Sequence, residues 1–104
     1  MAGWHRGTTP LNTFNVNVDL REARIYISYY QRGRVVVEKT GEDLEVTANQ
    51  ITTALTQEET LSFKTGPVKI QIRYVMPDGT ADASNIIDTT SEEILKDGVI
   101  AYGV

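Results

Sequence analysis

Apolar and polar residues begin to alternate at Thr13, and this alternation governs most of the chain. Phe14, Val16 and Val18 fall on one side and Asn15 and Asn17 on the other, the two-residue period of a strand with one buried face. After a turn over residues 19–23, residues 24–31 (RIYISYYQ) set Ile25, Ile27 and Tyr29 against Tyr26, Ser28 and Tyr30. Arg32-Gly33 supplies a tight reversal into residues 34–39, with Val35 and Val37 expected inside and Val36 outside. A second hairpin follows, carrying Leu44 and Val46, reversing at Ala48-Asn49 and returning over residues 50–55. At Thr56 the spacing changes. Thr56 and Glu59 have the separation of a capping box, in which each side chain satisfies the other residue's amide. One helical turn is therefore predicted, with Leu55, Leu61 and Phe63 plugging one end of the fold. Beyond Gly66-Pro67, Val68, Ile70, Ile72 and Tyr74 alternate with Lys69, Gln71 and Arg73. Pro77-Asp78-Gly79 is a strong turn signal. The return strand is expected over residues 80–88, and Thr90 with Glu93 predicts a second capped turn.

About seven short antiparallel strands, no long helical period and frequent turns predict an all-β, immunoglobulin-like β-sandwich with one or two single-turn helices. Thirteen Thr residues among 104 fit through their β preference. The expected inner face comprises Phe14, Val16, Val18, Ile25, Ile27, Val35, Val37, Val46, Ile51, Val68, Ile70, Ile72 and Ile86. Residues 1–12 hold Gly3, Gly7 and Pro10 without periodicity and are expected to form a flexible N-terminal arm. Residues 13–90 make the sandwich, and residues 91–104 a short helical turn with an apolar tail. At 11.6 kDa there is room for one core.

Ten cations against fourteen carboxylates leave a net charge of −4, which provides no overall field for nucleic acid or anionic lipid. No signal-peptide pattern or membrane-spanning apolar run is present, and cytoplasmic synthesis is expected. The chain has no Cys and one His, so disulfides, thiol nucleophiles and thiolate metal sites are excluded. His5 stands beside Trp4 and Arg6 in the arm, without a second imidazole, and is expected to be solvated. Glu58-Glu59 and Glu92-Glu93 are adjacent carboxylates that belong to the capping boxes rather than to an acid–base pair across a scissile bond. Asp78 and Asp82 flank a turn but lack the alternating oxygen ligands of a calcium loop. No catalytic, cofactor-binding or metal-binding residue is assigned, and no enzyme activity is expected.

The aromatic pattern is more informative. Tyr26, Tyr30 and Val36 fall on the nominally outer face of the first hairpin, a place that water alone does not require to be apolar. Three roles fit: a protein contact, half-exposed aromatics without a role, or a platform for stacking sugars. The closing residues ILKDGVIAYGV are apolar at seven of eleven positions. Val99, Ile100 and Tyr102 are thus further candidate contact residues, docking on this chain or on a second copy, with Asp97-Gly98 as the hinge.

The string DLREARIYISYYQRGRVVVEKTGEDLEV, then ITTALTQEETLSF, then GPVKIQIRYVMPDGTADASNI, carries a resemblance over about residues 13 to 90. It resembles a group of small proteins, about the length of this chain, encoded among tail and structural genes of phages and prophages of Gram-positive gut bacteria. It is more distantly similar to the immunoglobulin-like N-terminal domain of phage baseplate upper proteins. The carrying features are Asp19-Leu20-x-x-Ala23 before a strand, the Gly33 hairpin into Val35, the Leu55 to Leu61 plug, and Asp78-Gly79 before Ala83-Ser84. The resemblance implies a virion structural or assembly module acting by protein–protein contact. Its partners would be other virion or assembly proteins or a homo-oligomer, with no nucleic acid and no membrane. It would be made in the bacterial host cytoplasm and then incorporated in the virion. A binding module for cell-surface carbohydrate is the alternative.

Overall fold

The computed structural model describes residues 1–102. Its strands are Trp4–His5 (β1), Leu11–Asn15 (β2), Arg24–Gln31 (β3), Arg34–Thr40 (β4), Leu44–Val46 (β5), Gln50–Ala54 (β6), Gly66–Val75 (β7), Ala81–Ala83 (β8) and Ile87–Glu92 (β9). One short helix, Gln57–Leu61 (α1), separates β6 from β7, and a single 3-10 turn covers Gly41–Asp43. One sheet has the order β1-β9-β7-β3-β4, with β8 also on β7, and the other has the order β2-β6-β5. With β2, β3, β6, β7 and β9 in the places of strands B, C, E, F and G, this is the division of a variable-type immunoglobulin sandwich. The all-β, immunoglobulin-like expectation therefore holds.

Local chemistry explains the elements. Arg32 and Gly33 both have positive φ, 52° and 85°, as a type I′ reversal requires, and Gln31 faces Arg34 across it. Ala48-Asn49 turns β5 into β6, with the Thr47 amide on the Gln50 carbonyl at 2.9 Å. The capping box forms as expected: the Glu59 amide donates to Thr56 Oγ1 at 3.1 Å and the Thr56 amide donates to Glu59 Oε1 at 2.8 Å. Ile25, Ile27, Tyr29, Val37, Ile51, Val68, Ile70 and Ile72 are buried between the sheets, together with Phe14, Leu20, Leu55 and Phe63. Val16 and Val46 pack half-buried against them.

Five expectations change. Residues 1–12 are tied into the fold instead of leaving it: β1 runs parallel to β9, pairing Trp4 with Ser91, and Trp4 is only 4% exposed. Gly3 permits this approach, because a Cβ there would collide with the Thr90 carbonyl oxygen. Val35 and Val36 exchange faces, since β4 contains a bulge that places Val37 opposite Tyr29 and Val35 opposite Tyr30, leaving Val36 unpaired between them. Val35 is consequently 48% exposed and Val36 packs half-buried on the core. Val18 is exposed because β2 stops at Asn15, after which alternation no longer sets its side. The return strand breaks at residues 84–86, which leaves Ile86 exposed and turns Ile87 inward. Thr90 opens no helix: it lies in β9 opposite Pro67, because pairing with β7 satisfies the backbone along the whole strand. Val104, the last apolar residue of the expected tail, lies outside the described residues.

Candidate functional site

The broad outer face of β4, β3 and β7 carries the candidate site. Alternation along β3 turns Ile25, Ile27 and Tyr29 inward and leaves Tyr26, Ser28 and Tyr30 outside. Register supplies their neighbours. Tyr26 lies between Thr40 and Arg73, Ser28 between Glu38 and Gln71, and Tyr30 between Val35 and Lys69. Each tyrosine therefore stands beside a cation on β7, with a polar row between the two. Tyr26 is 43% and Tyr30 40% exposed. Ile86, displaced outward by the break before β9, completes the apolar end of the patch.

Two shallow hollows shape this surface. One of about 290 Å³ involves Ser28, Tyr30, Val35, Lys69, Gln71 and Ile86. The other, of about 250 Å³, lies among Tyr26, Ser28, Glu38, Arg73 and Tyr74. Both fall below the usual range for small-molecule sites, about 300–1,000 Å³. An amphipathic surface of tyrosines, aliphatics and cations with shallow relief has the chemistry of a protein contact.

The structure brings Tyr26 and Tyr30 onto one face but removes Val36 from it, and Val35 takes its place. The bulge that exchanges them has no marker in the sequence, since RVVVEK reads equally well in either phase. Val99, Ile100 and Tyr102 are exposed in a different place. There the Gln57 side-chain amide grips the backbone of Ile100 in both directions: Nε2 donates to its carbonyl at 3.0 Å, and Oε1 accepts its amide at 2.8 Å.

Several other chemistry-bearing side chains have structural partners. His5 Nδ1 donates to the Glu93 carbonyl at 3.1 Å. Arg6 donates to the carbonyls of Phe63 and Leu61 at 2.9 and 3.2 Å, closing the end of the sandwich under α1. Asp78 accepts the Thr80 amide at 2.9 Å, which holds its carboxyl below the ordinary aspartate range. Arg21 clamps Asp19 from 2.6 Å and likewise keeps that carboxyl low. Burial pushes the Glu59 carboxyl up, but Lys39 Nζ at 2.7 Å together with the Thr56 amide and hydroxyl outweighs it, and the net effect is downward. Among the described residues no group of three or more His, Asp or Glu is placed to hold a metal ion. No helix among them is long and apolar enough to cross a membrane.

Fold and site together define a variable-type immunoglobulin sandwich with an aromatic patch on its six-stranded sheet. No family model matches the chain, and no curated protein is similar to it. Among solved structures, the V domain of amphioxus IgVJ-C2 is similar at 12% identity, covering 88% of this chain and 99% of that one with a TM-score of 0.35.

Proposed function

We propose that this chain is a non-enzymatic structural or assembly module of a phage or prophage virion, acting by protein–protein contact through the outer face of β3, β4 and β7. The supporting observation is the patch of Tyr26, Tyr30, Val35 and Ile86 flanked by Lys69 and Arg73, an arrangement of the kind that anchors interfaces. The phage context rests on the sequence resemblance over residues 13 to 90. In this reading the module is made in the bacterial host cytoplasm, joins other virion or assembly proteins, and needs no cofactor. Binding of cell-surface carbohydrate is the competing reading, because exposed tyrosine faces also stack on sugar rings.

The test is to produce particles from an induced lysogen that encodes either the native chain or Tyr26→Ser/Tyr30→Ser, and to quantify the chain in purified virions by mass spectrometry. Particle incorporation should fall about tenfold or more for the variant, as loss of two interface anchors implies, with an unchanged melting temperature. Absence of the native chain from virions, combined with tyrosine-dependent retention on host cell-wall polysaccharide, would transfer the assignment to carbohydrate binding.

A further inference from the structure

The sheet β2-β6-β5 has an open side. In an immunoglobulin sandwich, the opening strand commonly lies beside the strand equivalent to β2; here the opening residues run along β9. Pairing of Pro10 with Leu55 and of Val16 with Asn49 directs the amides and carbonyls of even-numbered residues toward β6. Those of Leu11, Thr13 and Asn15 therefore point to the free edge. Beside this edge a groove of about 810 Å³ opens between the sheets, with Phe14, Val16, Val18, Ile72, Tyr74 and Ile87 as its apolar walls. Unpaired strand backbone next to alternating apolar walls is the chemistry that receives one more extended strand.

We infer that the occupant of this groove is the segment 96–102 of a second copy of the same chain, added antiparallel to β2. Three observations select it. Val99, Ile100 and Tyr102 are apolar and exposed, held at the α1 end by the Gln57 amide and by Arg6, which donates to Asp97 Oδ1 at 3.5 Å. Seven extended residues span about 24 Å, enough to cover the five residues of β2 and continue past its end at Asn15. Charge matches as well: Asp82 is the charged side chain on the groove wall, and Lys96 makes no ion pair among the described residues. A segment entering at the Asp82 and Val18 end places Lys96 at the mouth and lays Val99 through Tyr102 inward, which sets the antiparallel direction.

The donor segment sits at the α1 end, where β2 begins, and the groove lies toward the opposite end, where β2 finishes. A one-way contact between these two ends adds copies head to tail into a ring or filament, whereas two copies lying side by side and antiparallel exchange the segment reciprocally as a symmetric dimer. A single strand in a groove is a small contact, below the roughly 1,200 Å² of a standard interface, so assembly should depend steeply on concentration. The inference rests on the contact-module reading and names a second copy as one partner.

Analytical ultracentrifugation of the full chain from micromolar to millimolar concentration tests it. The expected result is concentration-dependent self-association, as a swapped dimer or larger, abolished in Ile100→Asp/Tyr102→Asp and competed by a peptide of residues 94–104. Asp82→Lys should weaken association by about three- to tenfold, the scale of reversing an exposed ion pair, and adding Lys96→Asp should restore it. Either a monomer throughout the range, or association that survives Ile100→Asp/Tyr102→Asp, or an uncompensated charge swap, overturns strand exchange. Tyr26→Ser/Tyr30→Ser should leave self-association unchanged. If that variant alone dissociates the assembly, strand exchange fails while the tyrosine face stands as a contact surface. If instead strand exchange persists and the variant still enters virions normally, the tyrosine-face reading is the one that fails.

Discussion

Trp4, Tyr29 and Phe63 form a three-ring cluster at the α1 end of the core, with edge-to-face centroid distances of 5.9, 5.4 and 6.3 Å. Such pairs add attraction beyond the area they bury. Trp4→Ala should therefore cost about 3–5 kcal/mol in a urea titration, whereas a residue in a mobile arm would cost nothing measurable. Tyr29 is also a titration probe. Burial pushes its phenol up to about 12, and the hydrogen bond that Asn12 Nδ2 donates at 2.7 Å only partly offsets this. The folded chain holds this proton more tightly than the unfolded chain, whose tyrosines titrate near 10. The contribution is thus complete below about pH 10 and is lost as the pH rises toward 12, amounting to about 3 kcal/mol. Tyr29→Phe should be less stable near neutrality, because Asn12 loses its partner, yet its melting temperature should fall less steeply than the native chain's between pH 10 and 12.

At the scale of elements, one ion pair joins the β4 edge to the start of α1. Lys39 faces inward from β4, with its side chain 9% exposed, and reaches Glu59, the same carboxylate that caps the helix. Removing that carboxylate strands a buried ammonium and opens the capping box together. Glu59→Ala should cost about 3–5 kcal/mol by the first effect alone. Lys39→Met leaves a partly solvated carboxylate that still caps the helix, and it should cost distinctly less in the same titration. Because the Glu59 carboxyl is held below its ordinary value, this contribution is present above about pH 4.5 and drains away as the pH falls through the folded value. Acid melts of the native chain and Glu59→Gln should accordingly converge.

For the whole molecule, the distribution of charge matters more than its sum. Arg24 and Arg73 lie toward the β8 end of the outer face, Lys69 stands farther along it beside Tyr30, and Arg32 and Arg34 lie at the opposite hairpin tip. Arg6, Arg21 and Lys39 are engaged by carboxylates. The net charge is −4, and the row of Glu38, Ser28 and Gln71 lies between Arg73 and Lys69 on the outer face. Single- and double-stranded nucleic acid should show no gel shift with micromolar protein at about 150 mM salt; a clear shift would make the tyrosines with Lys69 and Arg73 a nucleic-acid surface instead of a protein contact.

Wherever one residue type at one spacing has a single low-energy answer, the sequence alone was decisive. It specified the tight reversal at Arg32-Gly33, the Thr56–Glu59 box, the buried alternation of Ile25, Ile27 and Tyr29 against Val68, Ile70 and Ile72, and the outward placement of Tyr26 and Tyr30. Only the tertiary structure settled the features that depend on a partner distant in sequence. Trp4 enters the core because β9 accepts a parallel neighbour 87 residues away, and nothing local to Trp4 encodes that. Three consecutive valines carry no phase, so the bulge against β3 chose Val35 for the surface and Val36 for the core. Thr90 and Glu93 satisfy the spacing of a cap, yet pairing with β7 serves the same backbone groups over the whole strand. The groove beside β2 exists because the opening residues joined the opposite sheet, a choice made by packing between elements that no local pattern records.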